Sequence, residues 1–187
     1  MVSAGGPSLF LSGKGCGTRT CFQVKCSAND ACSGNPVTVV ITDSCPGGPC
    51  ASDSTHFDLS GTAFGALAIS GQDDALRNAG SIEIEFPRVE CSYPGTPLTF
   101  KIDSRSNPYY FAVLIEYVPE DGDLDQVDLQ QTSITDSWQP MQQSESAVWA
   151  LNSGTELQGP FSFRITTSTS DTLIADPLLV VLYLILI

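Results

Sequence analysis

The placement of cysteine is the feature that most constrains how this chain can fold. Six of the seven cysteines lie within residues 16–50, and the seventh is Cys91. Such crowding at one end of a small chain is typical of a disulfide framework made in an oxidising compartment. The alternative is a zinc site with thiolate ligands from Cys16, Cys21, Cys26 and Cys32. That stretch lacks the paired C-x-x-C spacing of structural zinc, so we expect disulfides and no metal site.

Composition and charge narrow the possible partners. The chain has 187 residues, of which 42% are hydrophobic, enough for one good core or two small ones. Its net charge of −13 argues against nucleic acid or an anionic membrane surface as partner, because like charges repel. A neutral polymer such as a polysaccharide is compatible with this charge.

The sequence before residue 93 predicts short strands with a little helix. Ile82, Ile84 and Phe86 alternate with polar residues, which is the period of a half-buried strand. Residues 73–80 predict a short helix that ends on a glycine, and residues 60–68 predict a helical turn. The strands expected here are Cys21–Lys25, Val37–Thr42 and Ser81–Val89.

A change of pattern separates the second half of the chain from the first. Residues 93–97 contain two prolines and a glycine, which is the chemistry of a linker. Strand patterns then recur between turn signals and predict a β-sandwich, with Trp149 in its core. The strands expected in this half are Leu98–Ile102, Tyr110–Val118, Val127–Gln131, Ala147–Leu151 and Phe161–Thr166.

The two ends fit neither half. Residues 1–12 lack the basic start and long apolar run of a secretory signal, which we interpret as a divergent N-terminus on a chain without its natural beginning. Residues 177–187 are apolar, but a membrane helix needs about 20 such residues. The end of a lipid-anchor signal is the alternative, and we favour a divergent tail that makes the isolated chain prone to association.

Asp43 and Asp58 are the carboxylates that could have a chemical role. Hydrolysis of a glycosidic bond needs a protonated acid on one side and an ionised carboxylate on the other, and two aspartates beside strands could meet in a cleft. The alternative is that they end a strand and cap a turn, a common use of aspartate. His56 could act as an acid or base, but we expect it to orient the Asp58 loop. Residues 120–128 lack the glycine and glutamate positions of an EF-hand loop and predict no calcium site.

Several motifs together resemble those of plant β-expansins, the group that includes the grass-pollen group-1 allergens. They are Gly13-Lys14-Gly15-Cys16-Gly17, Cys21–Cys26, His56-Phe57-Asp58-Leu59-Ser60-Gly61, Asn107-Pro108-Tyr109-Tyr110 and Gly159-Pro160-Phe161-Ser162-Phe163-Arg164. The resemblance implies a predominantly all-β protein. It places an incomplete six-stranded double-psi β-barrel at 13–92, a linker at 93–97, an immunoglobulin-like β-sandwich of the carbohydrate-binding type at 98–176, and a tail at 177–187.

The function that this resemblance implies is loosening of the plant cell wall without hydrolysis. Bonding between cellulose microfibrils and matrix glucans or xylans would be disrupted by a secreted, monomeric protein with no cofactor and no transmembrane span. Asp58, Asp43 and His56 would line the groove, with Asp58 the key residue and no catalytic base. Sugar stacking in the second half would fall to Tyr110, Tyr109 and Trp138. The alternatives are a weak endoglucanase that uses Asp58 as its acid, and an inactive binding-only remnant.

The resemblance also implies disulfide pairings, which are Cys21 with Cys91 and Cys26 with Cys32. Cys45 and Cys50 bracket a Pro-Gly-Gly-Pro turn and could close on each other. The family's partner for Cys16 lies upstream of the region that this chain covers, so Cys16 is expected to be unpaired.

We therefore predict three disulfides and one free thiol. Treatment of the folded, unreduced protein with a thiol reagent should label one cysteine, and mass spectrometry should map the label to Cys16. Four or more reactive thiols would contradict the disulfide framework.

Overall fold

The computed structural model describes residues 2–5, 19–44, 55–120, 122–144 and 148–178, with the backbone alone at 2–5, 43–44 and 176–178. The chain divides into two compact units, each with its own hydrophobic core. The first unit comprises Met1–Ser92 and Pro119–Gly122, and the second comprises Tyr93–Val118 and Asp123–Ile187.

The first unit is built from short strands and two short helices. Its strands are β1 (Val2–Gly5), β2 (Cys21–Cys26), β3 (Val37–Val40), β4 (Asp43–Ser44), β5 (His56–Leu59), β6 (Ile84–Glu85) and β7 (Arg88–Val89). Its helices are α1 (Gly61–Gly65) and α2 (Asp73–Asn78). One sheet has the order β4-β1-β5, and the other has the order β3-β2-β6 with β7 also paired to β2. The strand β1 was not expected from the sequence, because its residues are small and show no alternation.

Local chemistry explains where these elements begin and end. Helix α2 starts with two acidic residues and has Arg77 in its last turn, which suits the helix dipole, and it buries Leu76 against the core. The single strand expected over 81–89 is two short strands instead, with Pro87 between them. Proline has no backbone N–H for a sheet ladder, although its carbonyl still accepts a bond of 3.0 Å from the amide of Gln23.

Two disulfides close the first unit. Cys21 is bonded to Cys91 with a Cα–Cα distance of 5.4 Å, and Cys26 is bonded to Cys32 with a Cα–Cα distance of 5.6 Å. These are the two pairings that the family resemblance implies. Since three of the four proposed zinc thiolates are engaged in disulfides, the zinc alternative is wrong. The remaining cysteines, Cys16, Cys45 and Cys50, lie outside the described residues.

The second unit is a sandwich of two four-stranded antiparallel sheets. Its strands are β8 (Thr99–Ile102), β9 (Tyr110–Glu116), β10 (Leu124–Gln131), β11 (Gln139–Pro140), β12 (Gln142–Gln143), β13 (Val148–Asn152), β14 (Phe161–Thr167) and β15 (Thr172–Leu178). The sheet orders are β12-β13-β9-β8 and β11-β10-β14-β15. Strand β15 was not expected, and it includes the first two residues of the segment that we interpreted as a divergent tail.

Alternate residues of the two sheets form the core of the sandwich. Phe111, Val113 and Ile115 of β9 are buried, as are Phe161 and Phe163 of β14. Burial of every second residue is the pattern of two sheets that pack face to face. Trp149 is also buried in this core, so the prediction for its position is confirmed. Within the described residues, no helix has the length and apolar character needed to cross a membrane.

We predict that Gly122→Ala destabilises the first unit more than Gly34→Ala does. Both glycines have left-handed backbones, with φ of +68° and +72°, so both substitutions carry the left-handed penalty of about 1–2 kcal/mol. At Gly34 a new Cβ meets nothing within 4 Å, whereas at Gly122 it would lie 2.5 Å from the Arg19 carbonyl oxygen and 2.7 Å from the Cys91 sulfur.

Chemical denaturation of the two variants and the parent measures this difference. Equal losses in the free energy of unfolding would mean that the Arg19 carbonyl and the Cys91 sulfur do not lie close to Gly122.

Candidate functional site

A cleft of about 540 Å³ lies in the first unit between β5 and the segment that follows α2. His56, Asp58 and Leu59 contribute to one wall, and Ser81 and Glu83 contribute to the other. Phenylalanine side chains from residues 57, 64 and 86 also line it. The cleft therefore offers hydrogen-bonding groups beside apolar ring surfaces, a combination suited to ligands that have both polar and apolar faces.

Strand alternation explains why His56 and Asp58 act together. Residues two apart on a strand lie on the same face. His56 Nε2 lies 3.1 Å from Asp58 Oδ1, and the side chains are 23% and 53% exposed, respectively. Between them Phe57 packs against Phe22 and Phe86, at ring-centroid distances of 5.4 and 5.1 Å. The half-exposed Asp58 carboxylate is thus held by His56 and open to a ligand.

The backbone places Asp43 in register with Asp58. Ser3 of β1 pairs with Asp43 on one side and with Asp58 on the other. Neighbouring strands lie about 4.8 Å apart, so the two aspartates are separated by about 10 Å at the backbone. The structure describes only the backbone of Asp43, and its role as a groove residue stays a prediction.

The second wall of the cleft was not predicted from the sequence. Glu83 is exposed and lines the cleft opposite β5. The alternation of Ile82, Glu83 and Ile84 indicated that the glutamate faces away from the core. Nothing in that pattern indicated which surface it faces, because this depends on how the segment packs against β5.

Hydrogen bonds from Arg77 connect α1, which follows β5, to α2, which precedes the second wall of the cleft. Its Nε donates to the Gly61 carbonyl over 2.8 Å, and its Nη1 donates to Asp73 and Asp74 over 2.6 Å each. These carboxylates raise the pKa of Arg77, mainly because Asp73 accepts a hydrogen bond from its guanidinium. The same hydrogen bond lowers the pKa of Asp73 below its usual value. Arg77 therefore connects the segment that follows Asp58 to the segment that precedes Glu83.

In the second unit, Asn107 holds two tyrosines in place. Its side-chain Oδ1 accepts the backbone N–H groups of Tyr109 and Tyr110, over 3.0 and 3.1 Å. This local bond is the usual way in which asparagine stabilises a turn before a strand. Tyr109 is 54% exposed. Tyr110 begins β9 and alternates with buried Phe111, so it lies on the outer face of its sheet.

The structure does not bring Trp138 together with these tyrosines. Trp138 precedes β11, which belongs to the opposite sheet of the sandwich. The guanidinium of Arg164 lies 5.0 Å from the centre of its ring, and Arg164 Nε donates to the buried Asp128 carboxylate over 2.9 Å. One ring face of Trp138 is therefore occupied by a cation, and the three predicted stacking residues do not form one surface.

Within the described part of the chain, no three His, Cys, Asp or Glu side chains converge as a metal site would require.

Comparison with known families identifies the class of protein. A family model described as "Lytic transglycolase" matches residues 2–86, and one described as "Expansin C-terminal domain" matches residues 98–178. Their order along the chain is that of a double-psi β-barrel followed by an expansin-type β-sandwich, and the predicted fold class is confirmed.

Individual relatives narrow the class further. The chain is 53% identical to Expansin-B4 of Arabidopsis thaliana, over 93% of this chain and 66% of that protein. It is 52% identical to Expansin-B6 of the same plant, over 91% of this chain and 74% of that protein. The chain belongs to the expansin family, in its B group. It spans between 55% and 74% of the lengths of eight curated expansin-B relatives.

A solved structure has the same fold. A variant expansin of Clavibacter michiganensis, in complex with cellohexaose, aligns with a TM-score of 0.66 and 20% identity. The alignment covers 93% of this chain and 74% of that chain. At this level of identity the likeness shows the fold.

We predict that Asp73→Asn lowers thermal stability near neutral pH and not in strong acid. The pKa of Asp73 is lowered in the folded state, so the stability it contributes is present above its ordinary value of 3.8 and is lost as the pH falls through the lower folded value. The difference in melting temperature between parent and variant should therefore shrink below about pH 3.8.

The same substitution made in an Arg77→Gln background is the control. In that background, Asp73→Asn should change the melting temperature much less, because the guanidinium that pairs with Asp73 is absent. An undiminished effect without Arg77 would assign the stabilisation to the helix dipole instead.

Proposed function

We propose that this chain binds neutral polysaccharides of the plant cell wall and loosens the wall without cutting them. The observation that carries the proposal is the His56–Asp58 pair, held at the wall of a cleft, in a chain of the expansin-B group. The polymers would be cellulose, xylan and matrix glucans. The net charge of −13 supports a neutral polymer and disfavours nucleic acid. The site of action would be the extracellular wall, and the active form a monomer.

The groove would consist of Asp58, His56 and Asp43. The Asp58 carboxylate would accept hydrogen bonds from sugar hydroxyls, while the phenylalanine surfaces of the cleft would contact the apolar faces of the sugar rings. A groove that holds a single polysaccharide chain more tightly than a packed one shifts that chain out of its assembly. Free energy of binding then replaces hydrolysis as the source of the effect.

In the second unit, Tyr110 and Tyr109 would hold the polymer by stacking. The support for this role is the exposed ring of Tyr109, the outward position of Tyr110 and the asparagine that fixes both backbones. Trp138 is left out of this surface because Arg164 lies over its ring. The complex of the Clavibacter expansin with cellohexaose is consistent with a cello-oligosaccharide ligand.

The absence of hydrolysis is proposed on the basis of the family. Glycosidases need a second carboxylate as base or nucleophile at a set distance from the acid. The expansin resemblance implies that this base is missing. Release of new reducing ends from cellulose or xylan would instead support the endoglucanase alternative.

We predict that Asp58→Asn abolishes wall loosening and preserves binding. The substitution keeps the size of the side chain and its capacity to accept a hydrogen bond, but removes the charge. The measurement is the creep of clamped, heat-killed grass cell-wall strips at acid pH, with sugar release followed in the same samples. A pull-down on insoluble xylan and cellulose reports binding.

Asp30→Asn is the matched control, because Asp30 is an exposed aspartate that does not line the cleft. It should extend walls like the parent protein. Full activity of the Asp58 variant would exclude the groove mechanism, and a parent that binds without extending the wall would favour the binding-only alternative.

A further inference from the structure

A second pair of tyrosines lies at the surface of the sandwich. The rings of Tyr93 and Tyr117 are 5.4 Å apart at their centroids and are inclined at 76°, which is a T-shaped contact. In this geometry the edge of one ring touches the face of the other, so most of the ring surface is not covered by the partner. Tyr117 is 40% exposed and Tyr93 is half-buried.

The backbone of Tyr117 is unusual for an aromatic residue. Its φ is +61°, in the left-handed region that a bulky side chain rarely occupies. Such conformations persist only where the surrounding structure enforces them, and they cluster at functional sites, among them those that clamp ligands. The residues on either side are well anchored, since Ile115 and Val118 are buried in the core. The fold thus holds the Tyr117 ring at the surface in spite of an unfavourable backbone.

This pair is separate from the tyrosines that follow Asn107. Tyr110 begins β9, and Tyr117 comes directly after its end. Seven residues of extended strand, at about 3.3 Å each, put their backbones about 23 Å apart. Trp138, by contrast, has the guanidinium of Arg164 over one face of its ring.

The charge next to Tyr117 selects against acidic ligands. Glu116 directly precedes Tyr117 in the chain and is half-buried. Carboxylates accept hydrogen bonds from sugar hydroxyls but repel the carboxylates of uronic acids. Together with the net charge of −13, this group favours a neutral glycan.

From these observations we infer that Tyr93 and Tyr117 form a second glycan-stacking subsite in the sandwich, distinct from the one at Tyr109 and Tyr110. Its ligands are neutral β-linked chains such as cello-oligosaccharides and unsubstituted xylan. The inference rests on the proposed function, because it assigns a further contact to the same class of polymer.

Tyr117→Gly is the variant that tests the subsite. Glycine removes the ring and also relieves the left-handed backbone, so the loss of the aromatic contact is partly offset and the fold is retained. The affinity for cellohexaose, measured by titration, should fall about five-fold or more, by analogy with the loss of one ring that stacks on a base. Tyr117→Phe keeps the ring and should bind within about two-fold of the parent. Melting curves of all variants verify folding.

A measurement on the parent protein tests the subsite without any substitution. Nitration of exposed tyrosines, mapped by mass spectrometry, should be slower at Tyr117 when cellohexaose is present. Tyr109 serves as the internal reference for the first tyrosine pair.

The outcomes separate this inference from the proposed function. Weaker binding by Tyr117→Gly with an unchanged fold, together with protection of Tyr117, supports the subsite. Parent-like binding by Tyr117→Gly, with weaker binding by Tyr110→Ala, overturns the subsite and leaves the proposed function in place. Equal nitration of Tyr117 with and without ligand also overturns it. A parent that binds neither cellohexaose nor xylan overturns both.

Discussion

Phe57 packs between Phe22 and Phe86, and this contact fixes which face of β5 carries His56 and Asp58. Because side chains alternate along a strand, burial of one ring directs His56 and Asp58 to the opposite face. Aromatic pairs contribute about 0.5–1.5 kcal/mol beyond the area they bury. A slip of one residue in this short strand would exchange the faces on which Phe57 and Asp58 lie. The position of Asp58 therefore depends on a contact between aromatic rings, two of which also line the cleft.

In the second unit, local hydrogen bonds position the exposed tyrosines. The side-chain oxygen of Asn107 accepts hydrogen bonds from the backbone N–H groups of Tyr109 and Tyr110 and fixes the turn from which they extend. The sheet behind them is anchored by buried residues such as Phe111 and Val113. In both units the exposed groups lie on a strand or on a hydrogen-bonded turn, which limits the conformational entropy lost when a polymer binds.

How much could be predicted from the sequence differs between elements. The helix predicted over 73–80 and found over 73–78, the strands β2 and β9 and the burial of Trp149 all followed from local sequence signals, because each depends on its own residues. Strand β1 carries no such signal, since its small residues are held by pairing with β4 and β5.

The candidate site shows the same limit. Asp58 and His56 were predicted as groove residues because their motif resembles that of β-expansins, and the strand that puts both on one face was not predicted. Glu83 was not predicted, because it meets the cleft only through the packing of a distant segment. Trp138 was predicted as a stacking residue, but the position of Arg164 over one face of its ring was not predicted. The contact between these two joins residues that are far apart in the sequence, which a local pattern does not reveal.

Gly65 at the end of α1 has a consequence for how the two sides of the cleft are joined. A Cβ at this position would lie 2.9 Å from the Cζ of Arg77, so the guanidinium occupies the space that a side chain would need. A larger residue at 65 would displace the guanidinium, which is the end of a flexible side chain. Its displacement would release the Gly61 carbonyl and both aspartates. The missing side chain at Gly65 thus preserves the hydrogen bonds that join the segments on the two sides of the cleft.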